Sequence, residues 1–167
     1  DVMQSSVESL RSCKYLFLHS LTESEGEGLS LVVHEAIVGA RPTSDLIAQE
    51  PMPEIRNILA ESNAIVHGPG CRVFSLRWSR YIGYSVDNES YSLPEPESSQ
   101  GEGRLLVEFT NSAYLSYLKH VTFAADDYPG PFRHWAVYCL DHIVNVASQD
   151  PPDVHVMAGA YPLPTVV

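Results

Sequence analysis

Residues 71–86 constrain this chain more than any other stretch. Phe74, Leu76, Trp78, Ile82, Tyr84 and Val86 hold the even positions, while Val73, Ser75, Arg77, Ser79, Tyr81, Gly83 and Ser85 hold the odd ones. A period of two marks a strand with one apolar face, so the segment predicts one long half-buried strand or a bent pair. Arg80 interrupts the even face. Either a bulge near Ser79 and Arg80 shifts the register, or the guanidinium points inward and needs a bidentate carboxylate, for which Glu89 and Glu108 are candidates. An inward Arg80 would also serve as an anion anchor at the floor of a pocket.

Such a strand needs neighbours. Residues 104–109 read as its partner, and 13–19 and 29–38 read as the arms of a hairpin. The polar stretch 22–28 between those arms carries Glu23, Glu25 and Glu27, whose mutual repulsion keeps the tip solvated and discourages edge association. Helical spacing appears at Met3, Val7 and Leu10, with Asp1 as the cap. Thr43 or Ser44 caps a short turn through Gln49, and Pro53 opens a helix over 53–62 with Ile55, Ile58 and Leu59 on one face. Thr110 or Asn111 caps another, in which Tyr114, Tyr117, Leu118 and Val121 align. Residues 132–148 fit either period: a strand to about Leu140, then an Asp141-capped helix or a second extended piece.

Two segments read as irregular. Residues 87–103 are polar and acidic, with Pro94, Pro96, Gly101 and Gly103, which predicts a long exposed loop. Residues 150–167 open with Pro151 and Pro152 and predict an irregular tail. The elements do not alternate as βαβ units do, and 167 residues suit one domain. The expected architecture is a single α+β domain over 1–167, a mostly antiparallel β-sheet with several short helices packed on one face.

Charge narrows the partners. Ten Lys and Arg against 21 Asp and Glu give a net charge of −11, and cations gather only at Arg72, Arg77 and Arg80. Nucleic acids and anionic membrane surfaces are therefore disfavoured, whereas a basic protein partner is favoured in association rate. No apolar run approaches the ~20 residues of a membrane span. The 3 cysteines, Cys13, Cys71 and Cys139, are widely spaced, which predicts reduced thiols and a cytoplasmic location. The chain opens at Asp1 without methionine, which points to trimming, processing or missing upstream residues.

Chemical signatures are sparse. Gly83-Tyr84-Ser85-Val86-Asp87 approaches the nucleophile elbow but lacks the second glycine, and its serine sits inside a strand run. His19 and His34 lie on the two hairpin arms, where a suitable register would put both rings on one face as half of a metal site; the plainer reading is two satisfied strand histidines. His120, His134 and His142 flank the Asp126-Asp127 turn and are candidate acid–base groups, although their spacing matches no zinc pattern. No metal or other cofactor is called for. Arg77 and Tyr81 should be exposed if the even face is buried, and Arg and Tyr are residue types enriched at binding hot spots.

The leading expectation is a small, acidic, bacterial-type, non-enzymatic protein-binding module, inhibitor- or immunity-like. It would engage a basic protein through the 87–103 loop, including Glu89, and through Arg77, Arg80 and Tyr81. The alternative is a small enzyme or ligand-binding domain with a His/Arg/Tyr pocket drawn from Arg80, His120, His134 and His142. Convergence of two or more of these in one deep pocket would favour the alternative. A homo-oligomeric structural subunit with a large apolar face is a third possibility.

Overall fold

The computed structural model describes residues 2–26 and 28–157. Asp1, the expected cap of the first helix, Glu27 at the hairpin tip and the tail beyond Met157 lie outside the described residues. In chain order the elements are α1 (Val2–Arg11), β1 (Tyr15–Ser24), β2 (Gly28–Val38), α2 (Ser44–Gln49), α3 (Pro53–Glu61), β3 (Ile65–Val66) and β4 (Val73–Trp78). They continue as β5 (Gly83–Asn88), β6 (Gln100–Arg104), β7 (Leu106–Asn111), α4 (Ala113–Val121), β8 (Arg133–Tyr138), β9 (His142–Ser148) and β10 (Asp153–Val156).

The strands form two five-stranded antiparallel sheets, one ordered β1-β2-β4-β10 with β3 beside β2, the other β5-β9-β8-β7-β6. The fold is thus α+β and mostly antiparallel sheet. Directly opposed residues share a face. In the first sheet Leu29, Leu31 and Val33 face Trp78, Leu76 and Phe74. In the second, Trp135 and Val137 face Val146 and Val144. All of these belong to one buried cluster, so the two sheets sandwich a common core.

Residues 71–86 are two strands, one in each sheet. The even face stays inward through Trp78; Ser79 and Arg80 are then exposed, and beyond them Tyr84 and Val86 emerge at the surface. The alternation therefore breaks where Arg80 stands. Arg80 does not point inward: its side chain is 81% exposed and sits 3.7 Å from Asp150, not beside Glu89 or Glu108. Arg80→Met is accordingly expected to change unfolding free energy by less than about 0.5 kcal/mol in a urea melt, as exposed pairs contribute little. Glycine is required at position 28, where φ is 79° and a Cβ would lie 2.1 Å from the Trp78 carbonyl. Only a bare backbone lets the turn end of the hairpin approach the end of β4.

Several further expectations change. Of the segment 104–109, Arg104 ends β6 and residues 106–109 lie in β7, which pairs with β6 and β8, not with 71–86. The hairpin ladder extends to Ser24 and Gly28, leaving a tighter turn than the 22–28 loop. The second extended piece, β9, replaces the Asp141-capped helix. The irregular tail contains β10, which pairs with β4 and buries Val154, because β4 has an open side that the two prolines do not prevent the chain from filling. Ser112, not Thr110 or Asn111, caps α4 by accepting from the Leu115 N–H at 3.1 Å. The buried α4 residues are Leu115 and Leu118, while Tyr117 and Val121 are exposed.

The helices have separate partners. α1 contacts β10 and β7, α4 contacts β8, and α2 and α3 contact each other with no buried residue. Among the described residues no helix is long and apolar enough to cross a membrane. α1 closes the end of the sandwich through Arg72. Its guanidinium donates to both Glu35 oxygens at 2.7 and 2.8 Å, and to Ser9 O, Ser9 Oγ and Ser12 Oγ of the helix end. Those bonds hold the Glu35 carboxyl down at about 2.

Candidate functional site

The outer face of the second sheet carries Ser85 and Asp87 of β5, Ile143 and Asn145 of β9, and His134 and Tyr138 of β8, as the ladder pairings dictate. α4 covers one end of this face, packing Leu115 and Leu118 against Ala147 and Phe132. The other end lies under the segment that follows β5.

That segment is shorter and better held than a free 87–103 loop. β5 takes Asp87 and Asn88, a 3-10 turn takes Glu89–Tyr91, and β6 begins at Gln100. Asn88 caps the turn by accepting from the Ser90 N–H, and its own carbonyl accepts from Ser92 Oγ. Glu95 Oε2 accepts from Ser99 Oγ at 2.7 Å and from the Ala113 N–H at 3.2 Å, tying the segment to the start of α4. Asn111 Nδ2 donates to Ser98 O at 2.8 Å.

Between segment and sheet lies an open groove of about 770 Å3. Its floor is Tyr138, Cys139, Ile143 and Asn145; Val86, Asp87 and Asn88 form one wall, and residues from Glu89 to Glu95 form the other. The charged lining residues are Asp87, Glu89 and Glu95, with no Lys, Arg or His among the lining. Tyr91 and Leu93 stand at the rim, 87% and 90% exposed.

A polar chain runs inward from the exposed Asp87 of the groove wall, through Asn145 of the floor, to the buried His134 and Ser112. Asn145 Nδ2 reaches Asp87 Oδ2 at 2.7 Å. A carboxylate only accepts, so the amide must face it with its NH2 and turn Oδ1 toward His134 Nε2 at 2.9 Å. Nε2 therefore carries the proton, and Nδ1 accepts from Ser112 Oγ at 2.9 Å. Burial lowers the His134 pKa and keeps the ring neutral, as this bonding requires. Tyr114 lies across the His134 ring with centroids 5.0 Å apart, and its hydroxyl is pushed up to about 12 by burial and by Asp87. The order serine–imidazole–amide is that of a nucleophile and its base. Yet Ser112 is 3% exposed and lines neither the groove nor the cavity beside α4, and the chain ties Asp87 of β5 to β9, β8 and the start of α4.

The sequence-derived candidates are dispersed. Glu89 lines the groove. His134 lies behind the groove floor, not in it. His120 is exposed on α4, with Nδ1 2.7 Å from Ser116 O. His142 is half-buried at the start of β9 and Arg80 is on the surface, so the proposed His/Arg/Tyr pocket is not assembled. Arg77 is exposed on β4, and the Tyr81 hydroxyl donates to Glu23. That bond pushes the Tyr81 hydroxyl up to about 12. Tyr81 precedes β5 and the groove takes in only the last three residues of that strand, so about 16 Å of extended chain separates Tyr81 from Val86. His19 and His34 do share a face: their rings stack at 4.3 Å, and the His67 ring sits tilted against His34 at 4.4 Å. Among the described residues no group of three or more His, Cys, Asp or Glu is arranged to hold a metal.

Sequence reading missed Tyr138, Ile143, Asn145 and Ser112. Asn145 did leave a signal, as one amide inside the apolar run Ile143-Val144-Asn145-Val146-Ala147. No family model, curated protein or solved structure matches the chain.

Proposed function

We propose that this protein is a non-enzymatic protein-binding module that holds a basic segment of its partner in the groove beside β5, in the manner of an inhibitor that occupies its target. The observation that carries this reading is the groove's charge: three carboxylates and no cation line a concavity rimmed by the exposed Tyr91 and Leu93. Apolar and aromatic anchors beside uncompensated like charges favour a partner that brings both Lys or Arg and apolar side chains. The net charge of −11 draws such a partner in from a distance.

Fluorescence anisotropy with labelled oligolysine and oligoglutamate tests it. Oligolysine should bind, weaken with added salt, and lose about tenfold in affinity in Glu89→Lys, since a reversed charge at the rim meets like charge. Equal binding of both peptides, or binding of neither, would refute the reading.

A further inference from the structure

β5 is the outermost strand of its sheet and, among the described residues, pairs only with β9. Two bonds fix which of its residues face outward. Glu89 N–H donates to Asp141 O, and Cys139 N–H donates to His142 O. In an antiparallel ladder hydrogen-bonded pairs alternate. Even residues of β9 therefore bond to β8 and odd ones to β5, so Ser85 and Asp87 are committed inward. Tyr84 and Val86 turn their N–H and C=O groups to the open edge.

Among the usual protections of an edge, β5 has a single charge, Asp87, whose side chain is bonded to Asn145 of β9. It holds no Pro and no Lys, and Tyr84 and Val86 are 37% and 42% exposed. The edge of β1, by contrast, is broken by a register shift at Leu18/Ser20, and its Leu16 carbonyl already accepts from Leu140 N–H. β5 also ends in the groove, which Val86, Asp87 and Asn88 line.

We infer that the partner segment binds as an added strand on β5, with basic and apolar residues in strict alternation. This rests on the basic-segment reading above and specifies its form. Main-chain groups of Tyr84 and Val86 would pair with the incoming backbone, the mode in which sheet edges take extended peptides. The two faces of β5 then impose the pattern. Asp87 and Ser85 share the outer sheet face with Ile143 and Asn145, whereas Tyr84 and Val86 share the other face with Val146 and Val144, Val86 standing where that face meets the groove wall. Residues of an added strand follow the same alternation. Lys or Arg would fall beside Asp87, and β-branched or other apolar side chains beside Val86 and Tyr84.

The test uses the whole protein with a labelled peptide alternating Lys and Val, a block peptide of the same composition, and the alternating peptide N-methylated at every second residue in either register. Alternating peptide should bind about tenfold tighter than block peptide. One N-methylated register should lose at least about tenfold, because methylation removes the donors that face β5. Val86→Pro should lose as much, since its N–H faces outward and β9 loses no bond. If Val86→Pro does not fold, the N-methylated peptides decide alone. Equal affinity of alternating, block and both N-methylated peptides would overturn strand addition while leaving the basic-segment reading standing. Failure of every lysine peptide to bind would overturn both.

Discussion

Arg72→Met is expected to lower the unfolding free energy by about 3 kcal/mol, the low end of what breaking a buried ion pair costs. The low end applies because the Arg72 side chain is 34% exposed, although Glu35 is only 13% exposed. The loss comes chiefly from leaving the Glu35 carboxylate without its bidentate donor and from releasing the end of α1 from β4. For a chain of this size that corresponds to a fall of about 6–12 °C in Tm. Glu35→Gln added to Arg72→Met should recover about 1 kcal/mol or more, since the orphaned charge is then gone. The pair also has an acid signature. Glu35 sits at about 2 against an ordinary 4.5, so its contribution is complete above 4.5 and is lost as pH falls toward 2. Urea melts across that window should show a shallower acid decline in Arg72→Met. A melt within 0.5 kcal/mol of the parent would show that the guanidinium does not hold α1.

His134→Phe is expected to cost about 3 kcal/mol. The ring volume and the stack on Phe109 are roughly kept, but Ser112 Oγ and Asn145 Oδ1 each lose a buried partner, at about 1–3 kcal/mol per group. The variant should also change the pH profile. A histidine whose folded pKa is lowered binds fewer protons when folded, so its stabilisation holds above about 6.5 and falls away below it. His34 behaves in the same sense, lowered to about 4 by burial and by its neighbours His67 and His19. Parent protein should therefore lose stability from pH 6.5 downward, and His134→Phe should lose less while keeping the share due to His34. An unchanged profile between pH 6.5 and 4 in His134→Phe would remove the buried imidazole from the account.

Local pattern made β4 and the first hairpin readable, because one buried face writes itself as alternation in a single stretch of chain. What alternation does not encode is the partner. Phe74 and Tyr84 look alike in sequence, yet one faces the common core and the other a sheet edge, since the break at Arg80 sends β5 to the second sheet. β10 was hidden because its four residues follow two prolines and the strand it pairs with, β4, lies far back in sequence. The site was legible at Glu89 and at the acidity of its segment. Its floor was not, because Tyr138 and Ile143 are ordinary strand formers that become a ligand surface only where α4 stops short of covering them. The Asp87–Asn145–His134–Ser112 chain joins four separate elements, and no spacing within one element announces it.

The excursion that carries α2 and α3 begins and ends at one point, where the Gly39 amide donates to the Ala64 carbonyl at 2.7 Å. Neither helix of that excursion contributes a buried residue. Closure entropy grows only slowly with loop length, so such a pinched, coreless appendage is nearly neutral for folding whatever its size. The sandwich can therefore shed it, extend it or exchange it without renegotiating its interior, which makes this the natural port for diversification or for grafting a second module.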